Sequence, residues 1–393
     1  MQTTDALLAF LLAAAVTLVV TPLAARIACR VGAVAAPRER DLHDQPTPRL
    51  GGLAILAGVL ISGAVFLPNT EEVRGILLGA AMITAIGALD DVFDLAAPIK
   101  LAGQAAAALI PVQSNVVVDN FTLPFVGAVD LGSLGVPVTL IGIVAVMNVI
   151  NLTDGVDGLA AGVCTIAAAT FAVICLSLDR DEAGILAALT AGAAVGFLWH
   201  NFHPASIFMG DAGSNLIGLL LACIAIHGVL KTAAVVALLF PLVILAVPIL
   251  DTGFVIAKRI KYRRPVYSAD SEHFHHRMAR IGFSQRRTVL YLYAWTLALA
   301  ALALALRFVP YSDDRGHFDA VWTAVLGVFG LLAVAATVYL VYVLEILKFR
   351  RFRERQLRRQ ATLVGGEVPS EDELQDTIER EIETGEFEAV GKD

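Results

Sequence analysis

Apolar residues run along this chain in long blocks, separated by short polar segments. A bilayer core of about 30 Å takes about 20 helical residues. Runs approaching that length lie at 6–29, 50–67, 75–89, 99–113, 136–152, 158–178, 184–199, 213–230, 233–256, 288–308 and 321–347, and they predict eleven membrane helices. The fourth run is short and ends near Pro111, so ten is the alternative count. The first run has Asp5 before it and Arg26 and Arg30 after it, which is the wrong charge order for a cleaved leader and predicts a retained helix. Between the fourth and fifth runs the pattern changes. Residues 114–135 are rich in β-branched and aromatic residues with Pro124, Gly127 and Gly132, which predicts a small outer β-hairpin.

Composition agrees with the pattern. Of 393 residues, 57% are hydrophobic and only 17% charged, which speaks against a soluble globule and against a disordered chain. Cys29, Cys164, Cys175 and Cys223 lie in apolar surroundings without CxxC spacing, so a disulfide scaffold is also excluded. Charge then orients the helices, because inner loops carry the excess of Lys and Arg. With the N-terminus outside, all of the 29 Lys and Arg except Arg74, Arg180, Lys231, Arg307 and Arg315 fall on the inner side. The expectation is an all-α polytopic membrane protein of about eleven helices, N-out and C-in. A membrane domain spans 1–347, and 348–393 is a cytoplasmic tail that begins with a basic helix (Lys348, Arg350, Arg351) and ends in an acidic, disordered segment. The formal net charge of -7 belongs to the acidic segment of that tail: without residues 360–393 the remaining 1–359 is slightly basic.

On this topology the polar clusters gather at the inner ends of the helices. They are the stretch from Arg38 to Gly52; Asp90, Asp91 and Asp94; Asn151, Asp154 and Asp157; Asn201, His203, Phe208, Asp211 and Ser214; and His273, His275, His276 and Arg277. Ionisable groups near bilayer depth are costly and mark function, so clusters on one face predict one active site facing the cytoplasm. Carboxylates with amide oxygens suit a hard divalent cation, Mg²⁺ with Mn²⁺ as a substitute, that bridges substrate phosphates. The histidines are too closely spaced, and lack the cysteines, for a zinc site. No phosphate-binding loop of the Gly-rich Lys-Ser/Thr type is present. The chemistry that remains is phosphoryl transfer from a soluble donor. Each cluster also has a structural reading: Asp154 and Asp157 as a turn and helix cap, the Gly210–Ser214 stretch as a helix start whose N–H groups could approach phosphate, Lys100 as a snorkelling side chain. Asp251, inside the ninth run, has either a structural or a site role.

Five motifs carry a resemblance: Pro48-Arg49-Leu50-Gly51-Gly52, Asp90-Asp91-Val92-Phe93-Asp94, Asn151 to Gly158, Phe208 to Ser214, and His273 to Arg277. In this order over residues 30–290 the chain resembles the polyprenyl-phosphate N-acetylhexosamine-1-phosphate transferases (glycosyltransferase family 4). The Arg49-Leu50-Gly51-Gly52 and His273-Phe274-His275-His276 forms are similar to the branch that uses UDP-GlcNAc. The alternative branch makes the MurNAc-pentapeptide lipid of peptidoglycan, and a reading of another class is a secondary transporter. The resemblance implies that a polyprenyl phosphate attacks the β-phosphorus of UDP-GlcNAc, giving polyprenyl-diphospho-GlcNAc and UMP at a bacterial plasma membrane. It implies Asp211 and Asn151 as metal ligands. Asp90 and Asp91 would orient or deprotonate the lipid phosphate, and Lys100 would neutralise its charge. Phe208 would stack on uracil, with Asn201, Asp154 and Asp157 bonding to the nucleoside, and His273, His275, His276 and Arg277 would hold the diphosphate or sugar. The lipid would enter by a groove near the fourth, fifth and ninth helices. A homodimer is the candidate assembly, and no nucleic acid is expected.

Overall fold

The computed structural model describes residues 2–35, 46–123, 127–230, 239–261, 284–310 and 319–337. Its helices in chain order are α1 (Gln2–Val31), α2 (Gly51–Phe66), α3 (Glu71–Phe93), α4 (Ala97–Gln113), α5 (Gly135–Thr153), α6 (Leu159–Ser177), α7 (Asp181–Asn201), α8 (Gly210–Ile224), α9 (Leu239–Ile244), α10 (Ala246–Lys261), α11 (Gln285–Phe308) and α12 (Ala320–Thr337). Among the described residues, each of the eleven apolar runs falls on helix, the ninth divided at Leu245 between α9 and α10. Among the described residues eight helices are long and apolar enough to cross a membrane, and α2 is a shorter apolar one. The protein is an all-α, multi-pass membrane protein. Its outer surface fits that medium: Leu7, Val19, Ile141, Trp199 and Leu331 are exposed on helix faces where lipid, not water, is the favourable neighbour. The tail from 348 onward lies outside the described residues.

The hairpin read from residues 114–135 is present. β1 (Val34–Ala35) pairs with β2 (Thr47–Pro48) near the start of α2, and β3 (Asn120–Leu123) pairs with β4 (Gly127–Asp130) between α4 and α5. Both pairs are antiparallel, the second in the register Asn120↔Asp130 to Leu123↔Gly127.

Helix α8 is the centre of the bundle. It is apolar all round beyond Asn215, and every residue from Ala212 to Ile224 is buried, as a helix without an exposed polar face requires. Around it stand α2, α3, α5 and α7, while α7 also packs on α1 and α6. Small residues set how close these neighbours come. A Cβ on Gly52 of α2 would lie 2.3 Å from the Gly213 nitrogen, one on Gly87 of α3 would lie 2.5 Å from the Ala212 main chain, and one on Gly218 of α8 would lie 2.6 Å from Met147 Cα of α5. Backbone-to-backbone contact of this kind replaces the hydrophobic drive that lipid removes between membrane helices. It also brings the last turns of α3, α5 and α7 and the first turns of α2, α4 and α6 around the start of α8. α5 in turn adjoins both α4 and α10, the helices of the expected lipid groove.

Candidate active site

Asp211, in the first turn of α8, stands among the site's charged groups. Lys100 Nζ, from the start of α4, lies 2.5 Å from Asp90 Oδ2 and 3.4 Å from Asp211 Oδ2. The Asp90 carboxylate also accepts the Leu95 N–H at 2.7 Å. Access differs within the trio: the Asp90 side chain is 5% exposed, against 34% for Lys100 and 29% for Asp211. A reactant arriving from solution or lipid therefore meets Lys100 and Asp211, with Asp90 behind them.

Asp91 does something else. Its Oδ1 accepts the Asp211 N–H at 3.0 Å and its Oδ2 the Ala212 N–H at 3.1 Å. The paired acids, read from sequence as one unit acting on the lipid phosphate, are divided. Successive residues on a helix point about 100° apart, so Asp90 faces α4 while Asp91 faces the start of α8. Those two N–H groups, a candidate phosphate cradle in the sequence, are held by a carboxylate of the protein itself.

Asn151, in the last turn of α5, completes the near side of the site. Its Nδ2 lies 2.9 Å from Asp211 Oδ1 and 2.9 Å from Ser214 Oγ. One helical turn deeper is an amide chain that sequence reading missed. Asn215 Nδ2 donates to the Asp211 carbonyl, Gln104 Nε2 donates to Asn215 Oδ1 and Asn148 Nδ2 donates to Gln104 Oε1, each at 2.8 Å. The signal for it lay in spacing: Gln104 is four residues after Lys100, Asn148 three before Asn151 and Asn215 four after Asp211, so each shares a helix face with a site residue.

The residues expected at the nucleoside are placed differently from one another. Asn201 is buried, with Oδ1 accepting the Gly158 N–H at 3.0 Å and Nδ2 donating to the Ile207 carbonyl at 3.0 Å. Asp157 Oδ2 takes His203 Nδ1 at 2.8 Å and the Ala205 N–H at 3.1 Å. Both staple the loop between α7 and α8 to the start of α6 and so position Phe208 and Asp211, a longer-range structural role than the turn and helix cap read for Asp157. Tyr293 of α11 adds to the staple by donating to the Gly158 carbonyl. Phe208 is half-buried, and its main chain is gripped by the motif ahead of α2: Phe208 N–H donates to the Pro48 carbonyl at 2.8 Å, while Gly51 and Gly52 donate to the Phe208 and Met209 carbonyls at 3.0 Å each. The glycine pair is needed there, because a Cβ on Gly51 would meet the Phe197 ring at 2.3 Å.

Asp154 is half-buried beside this ring of acids. Burial, then the negative charge of Asp211, Asp91 and Asp157, pushes its carboxyl up to about 8. Among the described side chains next to Asp211, the carboxylates Asp90, Asp91 and Asp154 outnumber the one cation Lys100, which is the electrostatic condition a divalent cation relieves. Among the described residues no three His, Cys, Asp or Glu side chains are arranged to enclose a metal. Asp211 supplies a carboxylate, and Asn151, whose Nδ2 here faces Asp211, would supply its Oδ1 on turning its amide over; Mg²⁺ commonly takes one or two carboxylates and completes its shell with water and substrate phosphate. His273, His275, His276 and Arg277 lie outside the described residues, and buried Asp251 sits on α10.

Comparison with known proteins bears directly on this set of side chains. The glycosyl transferase family 4 profile matches residues 73–229, which contain Asp90, Asp91, Lys100, Asn151 and Asp211. The chain is 38% identical over 303 residues to the probable undecaprenyl-phosphate N-acetylglucosaminyl 1-phosphate transferase of Bacillus subtilis, covering 75% of this chain and 84% of that protein. It is 39% identical over 318 residues to the decaprenyl-phosphate N-acetylglucosaminephosphotransferase of Mycobacterium leprae, covering 72% and 79%. The phospho-N-acetylmuramoyl-pentapeptide-transferase of Desulforudis audaxviator is 35% identical over 298 residues, covering 68% and 86%. With identity of this extent over most of each relative's length, and with the described motif residues gathered at one end of one bundle, the chain belongs to glycosyl transferase family 4, the polyprenyl-phosphate N-acetylhexosamine-1-phosphate transferases.

Proposed function

We propose that this protein transfers N-acetylglucosamine-1-phosphate from UDP-GlcNAc to a polyprenyl phosphate, with Mg²⁺ (or Mn²⁺) bound, at a site facing the cytoplasm of a bacterial cell. The relatives with 38% and 39% identity are named for N-acetylglucosamine-1-phosphate transfer to a polyprenyl phosphate, whereas the pentapeptide transferase is less similar. The observation that carries the reading is Lys100 held between Asp90 and Asp211, a partly exposed cation beside a partly exposed carboxylate. An ammonium at that place offsets charge when one anionic substrate must approach another.

The reaction forms a bond from a lipid-phosphate oxygen to the β-phosphorus of UDP-GlcNAc. It breaks the bond from that phosphorus to the bridging oxygen, which leaves with UMP. A phosphate monoester has its second pKa near about 6 and is largely dianionic at neutral pH, so the nucleophile needs little deprotonation. Asp90, buried and already hydrogen-bonded to Lys100, orients the ammonium toward the incoming phosphate. Asp211 and Asn151 would hold Mg²⁺, which supplies Lewis-acid charge at the diphosphate when bound. Phe208 offers its ring to the uracil, and Asp154, at the same rim, is the acid of its motif left to meet the nucleoside. The histidines and Arg277 are assigned to the diphosphate or sugar on the resemblance alone.

Purified protein supplied with polyprenyl phosphate and each UDP-sugar in turn should release UMP from UDP-GlcNAc, and only with Mg²⁺ or Mn²⁺ present. Product from UDP-MurNAc-pentapeptide alone sinks the substrate assignment. Asp211→Ala should lower the rate by about 10³-fold or more while the protein remains folded. Wild-type rates in that variant refute the metal assignment.

A further inference from the structure

We propose that Asp91 is a positioning residue: it caps α8 from the neighbouring helix and thereby fixes Asp211, taking no part in proton transfer. The proposal rests on the reading above that Asp211 holds the metal.

Three features point to it. Helix α8 begins without a cap of its own, since Met209 at its N-cap position makes no side-chain hydrogen bond to the first turn. The first N–H groups of a helix have no partner within it, and a buried start must find one elsewhere. Asp91 provides it with both oxygens, at 3.0 Å to the Asp211 N–H and 3.1 Å to the Ala212 N–H. A negative group at this end also meets the positive end of the helix dipole.

Space around the carboxylate is shaped for this contact. Gly210 has φ +70°, and a Cβ there would lie 2.3 Å from Asp91 Oδ2. A side chain at 210 and the cap are mutually exclusive. One turn earlier on α3, Gly87 lets the helix touch the Ala212 main chain, the approach that carries Asp91 to the two N–H groups. With both oxygens bound to stationary backbone donors, Asp91 is spent, while Asp90 beside it faces Lys100.

A cap and a base predict different kinetics. Asp91→Asn keeps one acceptor oxygen but turns an amide N–H₂ toward the second backbone donor. The Mg²⁺ concentration for half-maximal UMP release should rise about fivefold to tenfold, the size of a lost cap, with kcat at saturating Mg²⁺ within about threefold of wild type and an unchanged pH profile. Gly210→Ala, which alters no titratable group, should give the same rise, and the double variant should be no worse than the more severe single variant because both remove one interaction. The metal-free Asp91→Asn protein in detergent should also melt at a lower temperature than wild type. A kcat loss of about 10²-fold or more at saturating Mg²⁺ with an unchanged Mg²⁺ requirement and an altered pH profile is the signature of a general base and overturns the proposal. If Asp91→Asn fails to fold, Gly210→Ala decides: a wild-type Mg²⁺ requirement overturns the cap, a raised one supports it. Failure of the metal reading shows separately, as an Asp211→Asn protein with unchanged Mg²⁺ dependence, and the melting temperature of metal-free Asp91→Asn still reads the cap.

Discussion

The two ends of the helix bundle differ in how far their polar side chains are taken up by structure. Away from the site, the polar groups close helix ends. Thr70 accepts the Val73 N–H at the start of α3 and donates to Glu182, which also meets His227, and Arg307 reaches across from α11 to the Ser177 hydroxyl and carbonyl at the end of α6. At the site end the same kind of stapling occurs, through Asn201, Asp157 and Asp91, but Lys100, Asp211 and Asp154 stand partly open beside it. A polar residue near the membrane surface is thus no sign of function until its hydrogen bonds have been counted. The candidate site is where stapled and unspent groups meet.

The sharpest test of that contrast is Lys100→Gln. The side chain is one-third exposed and closes no helix end, so its loss should reduce kcat by about 10²- to 10³-fold with little change in melting temperature. Near-normal turnover would make Lys100 a snorkelling anchor and erase the difference between the ends. Asn201→Ala should act through structure instead. It leaves the buried Gly158 N–H and Ile207 carbonyl without their partner, at about 1–3 kcal/mol each, and lets the loop before α8 drift. Thermal unfolding should show the destabilisation, and KM for the UDP-sugar should rise more than kcat falls. The smallest effect belongs to Arg307→Ala, which should cost about 1 kcal/mol of stability and leave UMP release unchanged. A marked activity loss there would mean that the far end is coupled to the chemistry.

Much of the site was legible because charge in an apolar run is conspicuous. Asp90, Lys100, Asp154 and Asp211 stand out against Ala, Leu and Gly, and the structure brings them to one end of the bundle. Less was legible where the polar group was an amide. Gln104, Asn148 and Asn215 blend into their helices, since an uncharged side chain interrupts hydrophobic periodicity only weakly, and their linkage depends on three helices separated by long stretches of chain. The anion-binding helix start read at Gly210 was a fair inference from local sequence that the fold overrode, because the anion is supplied by Asp91, 120 positions earlier.

Hydrophobic run length dictated the membrane helices, the turn residues dictated the β3–β4 hairpin, and the described motifs marked polar residues that gather at the start of α8, because each is a local property of the chain. Which of two adjacent aspartates faces Lys100 and which caps α8 is not local. The two share a composition, a neighbourhood and a helix, and differ only in the direction about 100° of helical rotation gives them. That direction acquires meaning when Gly87, Gly52 and Gly218 let α3, α2 and α5 close on α8, a contact between backbones that no residue announces alone.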